Sequence, residues 1–134
     1  MRIFFDTNVL ASALATRGLC ADLYRFVVGE HELATGEVNL AELRRVLRDR
    51  FRVPPALIRE AEQALRQNTI IPKPKRTLPV KVRDPDDAWV LASAVAGGAE
   101  ALVTGDKDLL SLAKQAPVRI LAPRELWQLL KPSG

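Results

Sequence analysis

The chain has 134 residues, 48% of them hydrophobic, with a formal net charge of +4, so it has enough apolar material for one core and no need of disorder or a metal staple. A single cysteine, Cys20, excludes an intrachain disulfide and a multi-cysteine zinc site, and a single histidine, His31, excludes His-rich zinc sites. The basic excess favours a polyanionic partner and is clustered: Arg44, Arg45, Arg48, Arg50 and Arg52 crowd one segment, and Lys73, Lys75, Arg76, Lys81 and Arg83 another.

The first residues, Arg2 followed by an apolar run and Ala13-Leu14-Ala15, faintly imitate an export signal. Such a signal needs an unbroken apolar segment, and Asp6 interrupts this one at high cost. No stretch approaches the roughly 18 apolar residues of a membrane span, so a cytoplasmic location is expected and a membrane partner is not.

In chain order, RIFF (2–5) reads as a strand and NVLASALA (8–15) as the helix after it. CADLYRFVVGE (20–30) is helical, with Leu23, Phe26 and Val27 on one face, and HELAT (31–35) is a short strand. EVNLAELRRVLRDRF (37–51) carries Leu40, Leu43, Val46 and Leu47 on one stripe, a strong helix. PPALIREAEQALRQN (54–68) starts a further helix with proline at its first turn, and TII (69–71) follows as a strand. The proline-rich basic stretch 72–85 reads as an extended loop. Next, DPDDAWVLASAVAGG (84–98) has a helix entry, an apolar body and a glycine stop. EALVTG (100–105) is a buried strand, DKDLLSLAKQ (106–115) a helix, VRILA (118–122) a strand and PRELWQLLK (123–131) a helix.

This alternation predicts an α/β fold, a mainly parallel sheet of about five strands with helices on both faces, in one domain spanning 1–134. Right-handed crossovers follow.

Ligands of open α/β sheets bind beyond the carboxyl ends of the strands, and two acids fall there by spacing. Asp6 follows the strand RIFF and Asp106 follows ALVT. Each could equally be a helix N-cap. Two carboxylates at one edge repel unless a cation lies between them, and oxygen ligands favour Mg²⁺ or Mn²⁺ over zinc. Glu42 lies beside the apolar stripe of its helix, with Arg45 as its one available helical ion-pair partner. Asp84, Asp86 and Asp87 read together as a cap and an acidic first turn, and spacing leaves open which of the three would join a site.

Carboxylates holding one or two divalent cations would suit hydrolysis of a phosphodiester chain without a Cys, His or Lys nucleophile. Two other classes compete. An aspartate-based phosphohydrolase using Asp6 would want a second acid where Asn8 stands, and a non-catalytic RNA- or partner-binding module would keep the pocket without turnover. No phosphate-cradling glycine loop is present, and with 5% aromatic residues, none alternating with the second basic run, a base-stacking platform is not expected.

The segments IFFDTNVLASAL, EVNLAELRRVL and DPDDAWVLASAVAGGAEALVTGDKDLLSL together resemble the PIN-domain ribonucleases, in the branch that includes the VapC-like toxins of toxin–antitoxin pairs. The likeness runs from Met1 to about Leu130, and DTNVL and LVTGDKDLL in order and at the right separation make it specific. It implies a sandwich of a central parallel sheet between helices. It also implies an acidic pocket that binds Mg²⁺ or Mn²⁺ and cleaves single-stranded RNA. Carried over by position, the acids are Asp6, Glu42, Asp87 and Asp106, with Asn8 and Thr104 supporting them and Asp84 and Asp108 in reserve. Thr35 is the nearest equivalent of a hydroxyl residue that often precedes the second acid. A homodimer is implied, and a cognate antitoxin protein is left open as a partner.

Overall fold

The computed structural model describes residues 1–131, so residues 132–134 of the expected domain lie outside the described residues. Five strands, β1 (Arg2–Phe5), β2 (Glu32–Gly36), β3 (Thr69–Ile71), β4 (Ala101–Val103) and β5 (Arg119–Leu121), form one sheet in the order β3-β2-β1-β4-β5. Every neighbouring pair is parallel. The helices are α1 (Thr7–Ala15), α2 (Leu19–Glu30), α3 (Glu37–Asp49), α4 (Pro55–Leu65), α5 (Pro85–Ala96), α6 (Lys107–Leu110) and α7 (Pro123–Leu130).

A strand sends successive side chains to opposite faces, and β1 shows what that requires of a central strand. Ile3 and Phe5 enter one core with Leu10, Leu23, Leu40, Leu47 and Leu126, drawn from α1, α2, α3 and α7. Phe4 enters the other with Leu102, Ile120, Val90, Leu91 and Leu109, drawn from the sheet, α5 and α6. Ile3, Phe4 and Phe5 are all fully buried, which explains an unbroken apolar run where a one-faced strand would alternate. The result is a three-layer α/β/α sandwich. No described helix is long and apolar enough to cross a membrane.

The expected helix over 106–115 is shorter than its apolar pattern. It is helical only to Leu110, and turns replace it, with Leu112 N–H bonding the Leu109 carbonyl and Ala113 N–H the Leu110 carbonyl at 3.0 and 3.2 Å. Ser111 Oγ donates to the Asp108 carbonyl at 2.6 Å, a local bond of the kind that competes with helix propagation. Leu109 and Leu112 still reach the core, so the pattern marks the buried positions and overruns the length of the helix. The helix expected over 37–51 stops at Asp49, and Arg52 takes a left-handed backbone conformation (φ 54°) while Val53 N–H closes on the Leu47 carbonyl. The basic loop 72–84 has no regular element, and its Leu78, Val80 and Val82 pack on the second core.

The chain adds β2 and β3 on one side of β1, then crosses to add β4 and β5 on the other. The order therefore reverses between β1 and β4, and the crevice at their carboxyl ends is the natural place for a ligand.

Candidate active site

Asp6 leaves β1 at that crevice. Its N–H bonds the Val103 carbonyl at 3.0 Å, extending the β1–β4 ladder one residue past the strand, and it caps α1. Its side chain is buried. Oδ1 accepts from Thr7 N–H at 2.8 Å and from Asn39 Nδ2 at 3.3 Å, and Oδ2 accepts from Thr104 Oγ1 at 2.7 Å. Burial, helped by the charge of Asp106, holds the Asp6 carboxyl above its ordinary pKa despite these three donors.

Thr104 leaves β4 on the neighbouring strand and joins two acids. While its hydroxyl donates to Asp6, its oxygen accepts from Asp106 N–H at 3.0 Å. Asp106 in turn caps α6, with Oδ1 accepting from Asp108 N–H at 2.8 Å and Leu109 N–H at 3.1 Å. The cap and the site are thus the same residue at both Asp6 and Asp106, because strand ends and helix starts coincide at this edge of the sheet.

Asp87 is the acid of the Asp84–Asp87 turn that faces inward. Asp84 caps α5, its Oδ1 accepting from Asp86 N–H at 2.9 Å, and both Asp84 and Asp86 are exposed. Asp87, three, four and seven residues before Val90, Leu91 and Ala94, lies on the buried face of the same helix. It is 9% exposed, and its Oδ2 is buried with no hydrogen-bond partner among the described residues. Burial first, then the charges of Asp106, Asp84, Asp6 and Asp108, push its pKa up to about 7. Carboxylate oxygens of Asp87, Asp106 and Asp108 lie within 4.8 Å of one another. Asp108 is exposed at the rim.

Glu42 approaches from α3, half-buried, and accepts from Thr7 Oγ1 at 3.3 Å. Burial and then the charges of Asp6 and Asp86 raise its pKa, against the pull of Arg45. It is linked to Asp6 through Thr7 and stands outside the tight group formed by Asp87, Asp106 and Asp108.

One expectation needs correction. Asn8 is exposed and makes no hydrogen bond to Asp6 among the described residues. Asp6 is the cap of α1, so the second helical residue turns outward to solvent. The amide that supports Asp6 belongs to Asn39, fully buried on α3, whose Nδ2 also donates to Thr7 Oγ1 at 3.0 Å. Its signal in the sequence was a carboxamide four residues before Leu43, within the apolar stripe. Thr35, also buried, donates from Oγ1 to the Phe5 carbonyl at 2.9 Å and pins the β1 end immediately before Asp6.

The donors fit a hard divalent cation: all are carboxylate oxygens, they converge, and the partnerless Asp87 oxygen is one that a cation would satisfy. Thr104 is the test of the shared support. Thr104→Val removes the donor to Asp6 and strips the acceptor from Asp106 N–H, and Mn²⁺ affinity measured by calorimetric titration is expected to fall by about 10- to 100-fold. Unchanged affinity would show that the hydroxyl does not organise the acids.

Comparison with known proteins gives a consistent picture. The family model for the PIN domain matches residues 2–108. No curated protein matches the chain in sequence. Among solved structures, PAE2754 from Pyrobaculum aerophilum is similar at 21% identity with a TM-score of 0.68, over 97% of this chain and 89% of that one. FitAcB from Neisseria gonorrhoeae is similar at 18% identity and 0.64, over 91% and 98%. VapBC2 from Rickettsia felis, bound to a DNA fragment from its promoter, is similar at 16% identity and 0.62, over 90% and 97%. At these identities the likeness is one of fold.

Proposed function

The chain belongs to the PIN-domain family, and on that premise we propose that it is a metal-dependent endoribonuclease that hydrolyses phosphodiester bonds of single-stranded RNA. The observation that carries the reading is the buried, partnerless Asp87 oxygen facing a converging group of acids. A structural ion pair would have supplied a cation from the chain, and none of the described salt bridges involves these acids.

In this reading Asp6, Glu42, Asp87 and Asp106 hold Mg²⁺ or Mn²⁺, with Asp108 close enough to contribute. When bound, such a cation activates water and neutralises charge on the phosphate under attack. The chain's own contribution is positioning. Three donors fix Asp6, one hydroxyl sets the spacing of Asp6 and Asp106, and the sheet edge holds both on rigid elements. Water is the nucleophile in this reading, because the converging group among the described residues is made of carboxylates. Attack at phosphorus forms one P–O bond and breaks the ester P–O bond, with the water's proton ending on the leaving oxygen.

The VapBC2 and FitAcB likenesses support a toxin role, in which a cognate antitoxin would bind this chain. We place the chain as one domain, in the cytoplasm and as a homodimer. The deciding experiment is cleavage of single-stranded RNA with Mg²⁺ or Mn²⁺ and with EDTA as control. Metal-dependent cutting supports the enzyme, whereas tight RNA binding without cutting under any metal would favour a binding module on this fold. The aspartyl-nucleophile alternative gains nothing from Asn8, which faces solvent.

A further inference from the structure

Beside the acids, between α3 and α5, lies a cleft of about 340 Å³. Glu42, which accepts from Thr7 beside Asp6, and Asp86 line it, with apolar surface from Val38, Ala41 and Val90. The half-buried Trp89 ring closes one wall, and Lys73 of the basic loop holds its Nζ 4.4 Å from that ring's centroid. Arg45 of α3 lines the cleft as well. Neither Arg45 nor Lys73 is ion-paired among the described residues, while Glu37, also on the lining, is already engaged by Arg66.

We propose that this cleft is a nucleotide subsite of the RNA-cleaving centre: an unpaired base stacks on Trp89, and Lys73 and Arg45 take the phosphates that flank it. This rests on the nuclease reading above and assigns it a second contact. Three features select this occupant. The cleft shares Glu42 with the acid site, where Thr7 donates to it, so a chain bound at the acids passes the mouth of the cleft. Its two cations, without an ion-pair partner among the described residues, match phosphate, and its volume, at the low end of the roughly 300–1,000 Å³ of small-ligand sites, suits one base rather than a protein helix. The Trp89 face that already draws the Lys73 ammonium is the one a base takes, as Lys73 moves from the ring to the flanking phosphate; aromatic stacking beside a cation is the combination that holds single strands without reading sequence. In the sequence no aromatic residue alternates with the basic run; the fold brings Trp89 to it from another element.

The test is fluorescence anisotropy of a short fluorescein-labelled oligouridylate, with Ca²⁺ present. Trp89→Ala is expected to weaken binding about 5- to 150-fold, and Trp89→Phe to keep most of the affinity. An abasic oligomer of the same length should bind wild type and Trp89→Ala alike. Lys73→Gln and Arg45→Gln, at exposed positions that cannot unfold the core, should each flatten the salt dependence by about one phosphate contact. Wild-type affinity in Trp89→Ala, or no RNA binding by the wild type, overturns the subsite. So does a Trp89→Ala variant whose sedimentation changes while RNA affinity does not, which would give the cleft to a second copy of the chain. RNA cleavage with Mn²⁺ separates the two readings. Trp89-dependent binding without cleavage removes the nuclease and leaves the subsite, and cleavage indifferent to Trp89 does the reverse.

Discussion

Replacing Asp87 with Asn is expected to stabilise the metal-free protein above about pH 7 and, in the same variant, to remove RNA cleavage. The sign follows from where the proton is held more tightly. In the unfolded chain Asp87 titrates near its ordinary 3.8, and in the fold at about 7. The folded state therefore binds the proton better. Relative to an ordinary aspartate, this stabilising difference is fully present below about pH 4 and is lost as pH rises through about 7. Above that, the fold carries an ionised carboxylate whose Oδ2 is buried without a donor among the described residues, beside the like charge of Asp106. Asparagine has the same shape, carries no charge and turns an N–H toward those acids. A gain of about 1–3 kcal/mol, several degrees in Tm, is the expected scale.

Metal reverses the order. A cation that binds only the folded state stabilises it by about 2.7 kcal/mol at a hundred times its Kd, and the wild type should collect that gain while Asp87→Asn should not. Calorimetric melting of both proteins from about pH 4 to 8, with EDTA and with Mn²⁺, reads all four combinations. An Asp87→Asn protein less stable than wild type in EDTA across the whole range would mean that Asp87 is a satisfied structural acid, and the metal centre would lose its main support.

How much of the fold and the site is legible in the sequence depends on whether a feature is local. The strands RIFF and TII are bounded by their own chemistry, an apolar run ending at a polar cap or at proline, and the structure ends them at the same residues. Asp6 and Asp106 fall at one sheet edge on sequence grounds because a parallel α/β chain leaves few alternatives for the carboxyl ends of its strands. Asp84, Asp86 and Asp87 could not be separated by spacing, since all three satisfy a helix start; the inward turn of Asp87 is decided by which face of α5 meets the sheet. The misassigned amide has the same origin. Asn8 is next to Asp6 in the chain, whereas Asn39 reaches it across the fold, and adjacency in sequence was the only distance available. The Trp89–Lys73 contact joins a helix to a loop with no periodic relation between them, so composition argued against a stacking wall that tertiary structure builds.

Asp6 gives the second large effect, because two substitutions at one position separate charge from architecture. In Asp6→Asn the amide oxygen can stay at Oδ1, where it keeps the Thr7 N–H and Asn39 Nδ2 donors, and the new NH₂ faces Thr104. The Thr104 hydroxyl can rotate to accept from it, since a hydroxyl has two lone pairs and Asp106 N–H uses one. The hydrogen bonds survive and the charge is gone. Asn also remains a good N-cap for α1. Asp6→Ala keeps none of this: the Thr7 N–H and the buried Asn39 amide each lose an acceptor, and the cap disappears. Asp6→Ala is therefore expected to melt below Asp6→Asn by about 1–3 kcal/mol, while both lose RNA cleavage by at least about a hundredfold. Calorimetry alongside cleavage under Mn²⁺ measures both. If Asp6→Asn cut RNA as fast as wild type, the carboxylate would be a cap with no part in the chemistry. If instead it lost activity and stability in equal measure with Asp6→Ala, its role would be structural, held in the hydrogen bonds rather than in the charge.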